Sequence, residues 1–196
     1  MPALLDRFII RADERRRHEI TIRAPAALVM AAARNFDLQS IRTIRAIFWL
    51  RSKILGARPA PPRPPQGLVA DMLDLGWRCL GEEPDRYFVA GAICQPWRPD
   101  VVFYGVKPEQ FADYAEPDRV KIAWTLEVEA LGPSLTRFAT ETRVAATDDV
   151  ARKEFRRYWH MFGIGIVAIR RLLLPALRRR AEQAWRSGRP PDAMAE

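Results

Sequence analysis

The two histidines are the first side chains in this 196-residue sequence that could take part in acid or base catalysis. His18 and His160 are far apart in the sequence, and no GxSxG motif is present, so a Ser-His-Asp triad has no support. His18 occupies an inward position of a predicted strand, which indicates a hydrogen-bonded histidine in the core or at a cavity edge. His160 follows Trp159 and is predicted on the flank of a helix. The sequence has no P-loop, GxGxxG or metal-ligand pattern, so no metal and no cofactor are predicted.

Three glutamates of a predicted hairpin are the other acid/base candidates. Glu127, Glu129 and Glu141 alternate with the inward residues of two strands, so they are predicted to point outward. Outward glutamates form salt bridges across a hairpin, and the candidate partners are Lys121, Arg137 and Arg143. A shift of the register by one residue would turn the glutamates inward and make them catalytic candidates.

The charge and the cysteines narrow the possible partners. A formal net charge of +8 attracts nucleic acid or an anionic membrane. Only four of the 32 basic residues are lysine, which suggests a compositional bias, and no recognition helix or stacking platform is found. Nucleic acid is therefore not an expected partner.

Cys79 and Cys94 lie in separate predicted strands without CxxC spacing, which argues against a zinc cluster and a disulfide framework.

The first third of the sequence predicts a strand followed by two helices. Residues 17 to 23 alternate between apolar and polar side chains, as a half-buried strand does. Pro25 suits the first turn of a helix, and the alanines that follow favour helix. Residues 38 to 55 have apolar side chains at helical spacing with arginines between them. The proline-rich residues 56 to 66 predict an extended connector.

The middle of the sequence predicts a set of antiparallel strands. Residues 77 to 97 indicate two strands around a turn, with Gly91 marking a bulge or bend, and residues 101 to 106 suggest a third. Residues 119 to 146 alternate on both sides of a GPS turn. They predict a hairpin with one face in the core and one face in solvent.

A long helix follows the hairpin directly. Thr147 or Asp148 is predicted to cap this helix, which should end near Trp185. Its apolar residues recur every three or four positions and must pack on the sheet. They are Phe155, Trp159, Phe162, Ile166, Ile169, Leu173 and Leu177. The apolar run of residues 158 to 169 is short for a bilayer and ends at two arginines, so a transmembrane helix is not expected. The basic C-terminal end predicts a solvated helix end first and transient contact with a membrane surface second.

Three stretches of the sequence carry a family resemblance: RRHEITIRAPAALVMAAARNFD, VAGAICQPWRPD, and VKIAWTLEVEALGPSLTRFATETRVAATDDVARKEFRRYW. Together they resemble the START-like superfamily, also called SRPBCC or Bet v 1-like, and within it a bacterial branch known only as SRPBCC family proteins. The resemblance implies an α+β, helix-grip fold, in which a curved antiparallel β-sheet wraps around a long C-terminal α-helix and two short helices follow the first strand. One departure from the family pattern is HMFGIGIVAIRR, where bulky apolar residues replace a small polar position.

Members of this superfamily bind ligands between the sheet and the long helix, and the resemblance transfers that cavity to this sequence. The implied ligand-binding residues are Ile93, Trp97, Trp124, Leu126, Phe138, Thr140, Phe155, Trp159, Phe162 and Ile166. The expected function is binding of a hydrophobic small molecule, lipid-like or aromatic. The alternatives are a polyketide cyclase/dehydratase-like enzyme that uses the same cavity and an interaction module whose core is filled by its own side chains.

The expected organisation is one domain over residues 14 to 186, with an N-terminal extension at residues 1 to 13 and a flexible tail at residues 187 to 196. Asp6 and Arg7 interrupt the apolar start of the sequence, so no signal peptide is predicted and a cytoplasmic protein is expected. A monomer or a homodimer is expected.

Overall fold

The computed structural model describes residues 4–58 and 64–188. Five helices and five strands lie in this part of the chain, in an order that begins with a strand and ends with a long helix. They are β1 (Glu14–Ile22), α1 (Ala26–Arg34), α2 (Arg42–Leu55), α3 (Leu68–Asp74), β2 (Arg78–Glu83), β3 (Tyr87–Cys94), α4 (Pro108–Phe111), β4 (Val120–Gly132), β5 (Leu135–Ala146) and α5 (Asp149–Arg186). The fold class predicted from the sequence is confirmed: an α+β fold with an antiparallel sheet and a long C-terminal helix, as in a helix-grip fold.

The five strands that the described residues form make one sheet in the order β1-β5-β4-β3-β2, and every neighbouring pair is antiparallel. Side chains alternate between the two faces of a strand, so each face collects every second residue. Trp124, Leu126 and Phe138 share the face that packs on α1 and α5. This face is called the inner face below. Val89 and Ala123 share the opposite, outer face.

The N-terminal residues cover part of the outer face. A 3₁₀ turn at Leu4–Arg7 buries Leu5. The Phe8 ring then meets the Phe111 ring edge to face, with centroids 6.1 Å apart. The segment predicted as an extension thus packs on the sheet, and the hairpin face predicted in solvent is partly buried.

Asp148 explains how β5 leads directly into the 38 residues of α5. Its carboxylate accepts hydrogen bonds from the backbone N–H of Ala151 and of Asp118, both at 2.7 Å. These two bonds lower the pKa of Asp148 below its ordinary value, because they favour the charged form. Thr147 is not the cap, since its hydroxyl donates to the Arg119 carbonyl at 3.0 Å.

By length and composition, α5 is also long and apolar enough to cross a membrane, which by itself is weak evidence. A mostly buried core helix meets the same criteria, whereas 22% of the apolar window of α5 is buried. α5 packs against α1, β1 and β5. The described residues form a compact fold around this one long apolar helix.

Three details differ from the sequence predictions. α3 is an additional helix, whose seven residues are too few for a helical period to stand out. Residues 101 to 106 form a single bridge, between Tyr104 and Ile93, in place of a strand. α2 buries Ile44 but leaves Phe48 exposed, although both lie on its predicted apolar stripe. Of the predicted connector and tail, residues 59–63 and 189–196 lie outside the described residues.

Candidate ligand-binding site

The inner face of the sheet carries two separate apolar clusters. One lies against the C-terminal half of α5, where Leu173 and Leu177 pack with the residues of β4 and β5. The other lies against the N-terminal half of α5, where Phe155 and Tyr158 pack with Val144. These are called the C-terminal cluster and the N-terminal cluster. Between them α5 continues across the sheet.

Nine of the ten predicted site residues lie on the helix side of the sheet. Trp124, Leu126 and Phe138 belong to the C-terminal cluster, and Thr140 is buried on the same face of β5. The other five lie in or against the N-terminal cluster: Trp97, Phe155, Trp159, Phe162 and Ile166. The structure therefore brings these residues to two neighbouring clusters. Their role in binding a ligand stays a prediction.

The prediction that Ile93 lines the same wall is wrong. Ile93 pairs with Lys121 in the β3–β4 ladder, whereas Ala90 pairs with Trp124, so Ile93 points to the outer face. There it is fully buried among apolar residues that include Leu80. The sequence misleads at this position because β3 is apolar on both faces, so its alternation does not distinguish inside from outside.

The middle of α5 is packed more loosely than its two ends. A helix that lies tightly on a sheet alternates between buried and exposed residues with a period of 3.6. Residues 165 to 170 break this pattern, since all six are half-buried, while Phe155 and Leu173 on either side are buried. α2 approaches this stretch at Gly165, where an added Cβ would lie 3.1 Å from Ile47 Cγ2. This half-buried stretch between the two clusters is the candidate site, and the space between it and the sheet is called the opening below.

Polar side chains face this opening from the sheet and from the helix. Thr142 lies opposite Trp124 on β4, and Thr140 lies opposite His18 on β1. Arg170 of α5 donates a hydrogen bond to the Thr142 hydroxyl. This hydrogen bond connects α5 to β5 in the middle of the apolar surface between them. Within the described chain, neither His18 Nδ1 nor Trp124 Nε1, both buried, has a hydrogen-bond partner.

Burial and like charges shape the electrostatics of this polar group. Burial lowers the pKa of Arg170 to about 10, because the charged guanidinium loses its hydration. Burial also lowers the pKa of His18, and the positive charges of Arg170, Arg171 and Arg16 lower it further. His18 is therefore neutral near neutral pH, in a positive local field.

Three residues of this region are missing from the predicted site. Thr142 has an inward position in the strand pattern, so its alternation with Phe138 and Thr140 could have identified it. Arg170 lies four residues after Ile166, which puts both on one face of α5. Tyr158 lies beside the predicted stripe, where its hydroxyl accepts a hydrogen bond from Arg51 Nε at 3.3 Å and its ring stacks on Phe162.

A depression of about 330 Å³ lies on the outer side near the start of β1 and the end of β5. Arg11, Asp13, Lys121 and Arg152 contribute its charged groups. Arg152 Nε donates to Asp13 at 2.8 Å, and Lys121 Nζ donates to the Ala112 carbonyl at 2.6 Å. Because three of these four charged groups pair with the protein itself, this depression is the weaker candidate for a site.

The three glutamates point outward, as predicted, and form ion pairs there. Glu129 pairs with Arg137 at 2.6 Å across the hairpin, which confirms that prediction. Glu127 pairs with Arg17 at 3.1 Å.

Glu141 is buried under the N-terminal segment, where it pairs with Arg143 at 2.7 Å and Arg15 at 2.9 Å. Arg143 is thus a partner of Glu141, as predicted, although the pair lies on one strand. Lys121, the third predicted cation, pairs with none of these glutamates in the described residues.

His160 is exposed on α5, and its Nδ1 lies 2.7 Å from the Arg156 carbonyl, so it occupies the predicted flank position. Within residues 4–58 and 64–188, no three His, Cys, Asp or Glu side chains are grouped so that they could hold a metal ion.

Comparison with known proteins gives a likeness in structure. No family model matches the sequence, and no curated protein matches it. The crystal structure of the Zhui aromatase/cyclase from Streptomyces sp. R1128 is similar over 87% of this chain and 94% of that chain, with 13% identity and a TM-score of 0.29. A likeness of this size transfers no residue role and no substrate. The class assigned here, an α+β protein with a sheet packed on a long C-terminal helix, rests on the elements themselves.

Proposed function

We propose that this protein binds a hydrophobic small molecule, lipid-like or aromatic, in the opening between the inner face of the sheet and α5. The observation that supports it most is the half-buried middle of α5, residues 165 to 170, between two well-packed clusters. Where α5 is only half-buried, its side chains make fewer apolar contacts with the sheet, and an apolar ligand in the opening would supply the missing contacts.

Aromatic and aliphatic side chains border the opening on both sides. Ile166 and Phe162 border it from the helix, and Ile122, which contacts both clusters, borders it from the sheet. Binding would remove ligand surface from water at roughly 25 cal/mol per Å² of apolar area. Most pockets for small molecules combine such a lining with a few polar groups, as found here around Thr142.

Native mass spectrometry of the purified protein, followed by organic extraction, tests this function. We expect an extractable apolar molecule that is bound one to one, or else uptake of a fluorescent fatty acid by the empty protein. Ile166→Trp should fill the opening and weaken uptake. Ile164→Trp is the matched control on the same helix, because Ile164 is 83% exposed. A protein that carries no ligand and takes up no probe would favour the filled-core interaction module.

An enzyme of the polyketide cyclase/dehydratase type is the second candidate, and His18 is the observation that favours it. Its imidazole lies at the opening, and its lowered pKa keeps it in the neutral form that a general base needs. The test is incubation with a short poly-β-keto thioester, with cyclised products followed by mass spectrometry. Product formation by the wild type that is lost in His18→Gln, with ligand binding retained, would support the enzyme. Equal product formation by both proteins would rule out this role for His18.

We also propose that the ligand exchanges at an anionic membrane surface, through α2. The leucines of the basic C-terminal segment, Leu173, Leu174 and Leu177, are buried in the core and are not free to insert. α2 instead exposes Phe48, Trp49, Leu50 and Ile54 beside the cations Arg45 and Lys53. Apolar side chains next to cations suit an anionic lipid surface.

Cosedimentation with phosphatidylserine vesicles tests this contact. Binding should be lost when Trp49 is replaced by Glu and retained when the exposed Trp185 at the C-terminal end of α5 is replaced by Glu. Equal binding by both variants would contradict the proposed surface.

A further inference from the structure

Arg170 differs in its partners from Arg143, the strongly buried arginine on the outer face. Arg143 is 3% exposed at its side chain and pairs with Glu141 at 2.7 Å and Asp6 at 2.8 Å. Arg170 is half-buried; in the part of the chain that the structure describes, it has no carboxylate at ion-pair distance and makes its hydrogen bond to the Thr142 hydroxyl. A guanidinium partly removed from water without a counter-charge is destabilising, and an anion that reaches it would offset this cost.

An unused hydrogen-bonding group lies close to this guanidinium. Thr142 accepts the hydrogen bond from Arg170, and two residues earlier on β5, Thr140 lies opposite His18. The charge of Arg170 acts on His18, whose Nδ1 is buried without a partner among the described residues. Buried polar atoms are normally satisfied by protein or water, so an orphaned atom near a cation indicates an additional partner.

The charges that face His18 are all positive. Burial and the charges of Arg170, Arg171 and Arg16 depress its pKa, and no acidic side chain among the described residues opposes them there. Glu19, the next residue on β1, points to the opposite face, and Glu14, on the same face as His18, is paired with Arg16 at 2.7 Å. The opening therefore combines an apolar lining with a positive, donor-rich centre.

We propose that Arg170 and Thr142 bind the carboxylate of an otherwise apolar ligand, whose hydrocarbon part lies along Phe162 and Ile166. This inference rests on the proposed function and adds the chemical class of the ligand. A guanidinium fork matches the two oxygens of a carboxylate. A single unpaired arginine balances one negative charge, which favours a carboxylate over a phosphate monoester.

A pair of probes that differ only in the carboxylate tests the proposal. The affinities of cis-parinaric acid and of its methyl ester are measured by fluorescence titration for the wild type, Arg170→Met and Arg178→Met. Wild type should bind the acid about tenfold or more tightly than the ester, as expected for a charge-assisted hydrogen bond. Arg170→Met should bind both probes equally. Arg178→Met is the matched control on the same helix, because Arg178 is exposed, and it should keep the preference.

The outcomes separate this inference from the proposed function. If the wild type binds acid and ester equally, the carboxylate site is wrong while the hydrophobic site stands. If it binds neither probe, both are wrong. Tighter binding of a matched alkyl phosphate than of the acid would overturn the choice of carboxylate.

A measurement on the wild type keeps the test valid if Arg170→Met does not fold. The chain has two histidines, so the imidazole signals of His18 and exposed His160 can be followed by NMR. The acid should raise the pKa of His18, whereas the ester should leave it unchanged. An unchanged pKa of His18 with bound acid would overturn the proposal.

Discussion

Gly91→Ala should destabilise the fold strongly, although it adds one methyl group. Gly91 lies on β3 where the outer face meets α4, and an added Cβ would lie 2.5 Å from Leu80 Cδ1 and 2.6 Å from Phe111 Cε2. Optimal carbon–carbon contacts are about 3.5–4.0 Å, so both side chains have to move. Overpacking of this kind costs about 1–3 kcal/mol. The expected fall in Tm is about 2–4 °C for each kcal/mol in a chain of this size.

Urea denaturation followed by circular dichroism measures this loss. Gly81→Ala in the adjacent β2 is the control, because an added Cβ at Gly81 meets nothing within 4 Å. The control should change the free energy of unfolding by less than about 0.5 kcal/mol. If both variants are equally stable, the outer face of β3 is not packed as described. The reassignment of Ile93 to that face would then fail as well.

Three further perturbations test the electrostatics of the fold. Arg143→Met should cost about 1.5–3 kcal/mol in the free energy of unfolding, because it removes a charge-assisted hydrogen bond from buried Glu141, which keeps its pair with Arg15. Arg137→Met, in an exposed pair, should cost less than about 1 kcal/mol in the same denaturation experiment. The pKa of Asp148 is lower in the folded state, so its carboxylate stabilises the fold above its ordinary pKa of 3.8, and this contribution is lost as the pH falls through the pKa of the folded state. The difference in unfolding free energy between wild type and Asp148→Ala should therefore disappear in acid. A difference that does not depend on pH would contradict the role of Asp148 as the helix cap. Burial raises the pKa of Cys94 to about 12, so iodoacetamide should label Cys94 only after unfolding. Rapid labelling of Cys94 in the native protein would show that the end of β3 is not buried.

Elements with strict alternation or long helical periodicity were predictable from the sequence. β4 and β5 alternate over 13 and 12 residues, and the structure pairs them in the register that puts Trp124 and Phe138 on the helix side. The 38 residues of α5 contain enough turns for a stripe to stand out. The face of Ile93 was not predictable, because a strand that is buried on both faces has no polar residues to mark its orientation.

The polar centre of the candidate site was harder to predict than its apolar lining. Thr142 and Arg170 are 28 residues apart, and their contact depends on where α5 crosses β5. Strand alternation and helix phase limit which residues face inward, yet they do not set the position of a helix along a sheet. The partial burial of residues 165 to 170 likewise depends on α2 and α5 together.

Methyl NMR of isoleucine-labelled protein during titration with oleate tests the central claim most directly. A ligand in the opening should shift the methyl signals of Ile122 and Ile166 and leave that of Ile93 unchanged, because Ile93 is buried on the opposite face of the sheet. Binding that leaves Ile122 and Ile166 unchanged, or shifts Ile93 alone, would contradict a ligand site between the sheet and α5.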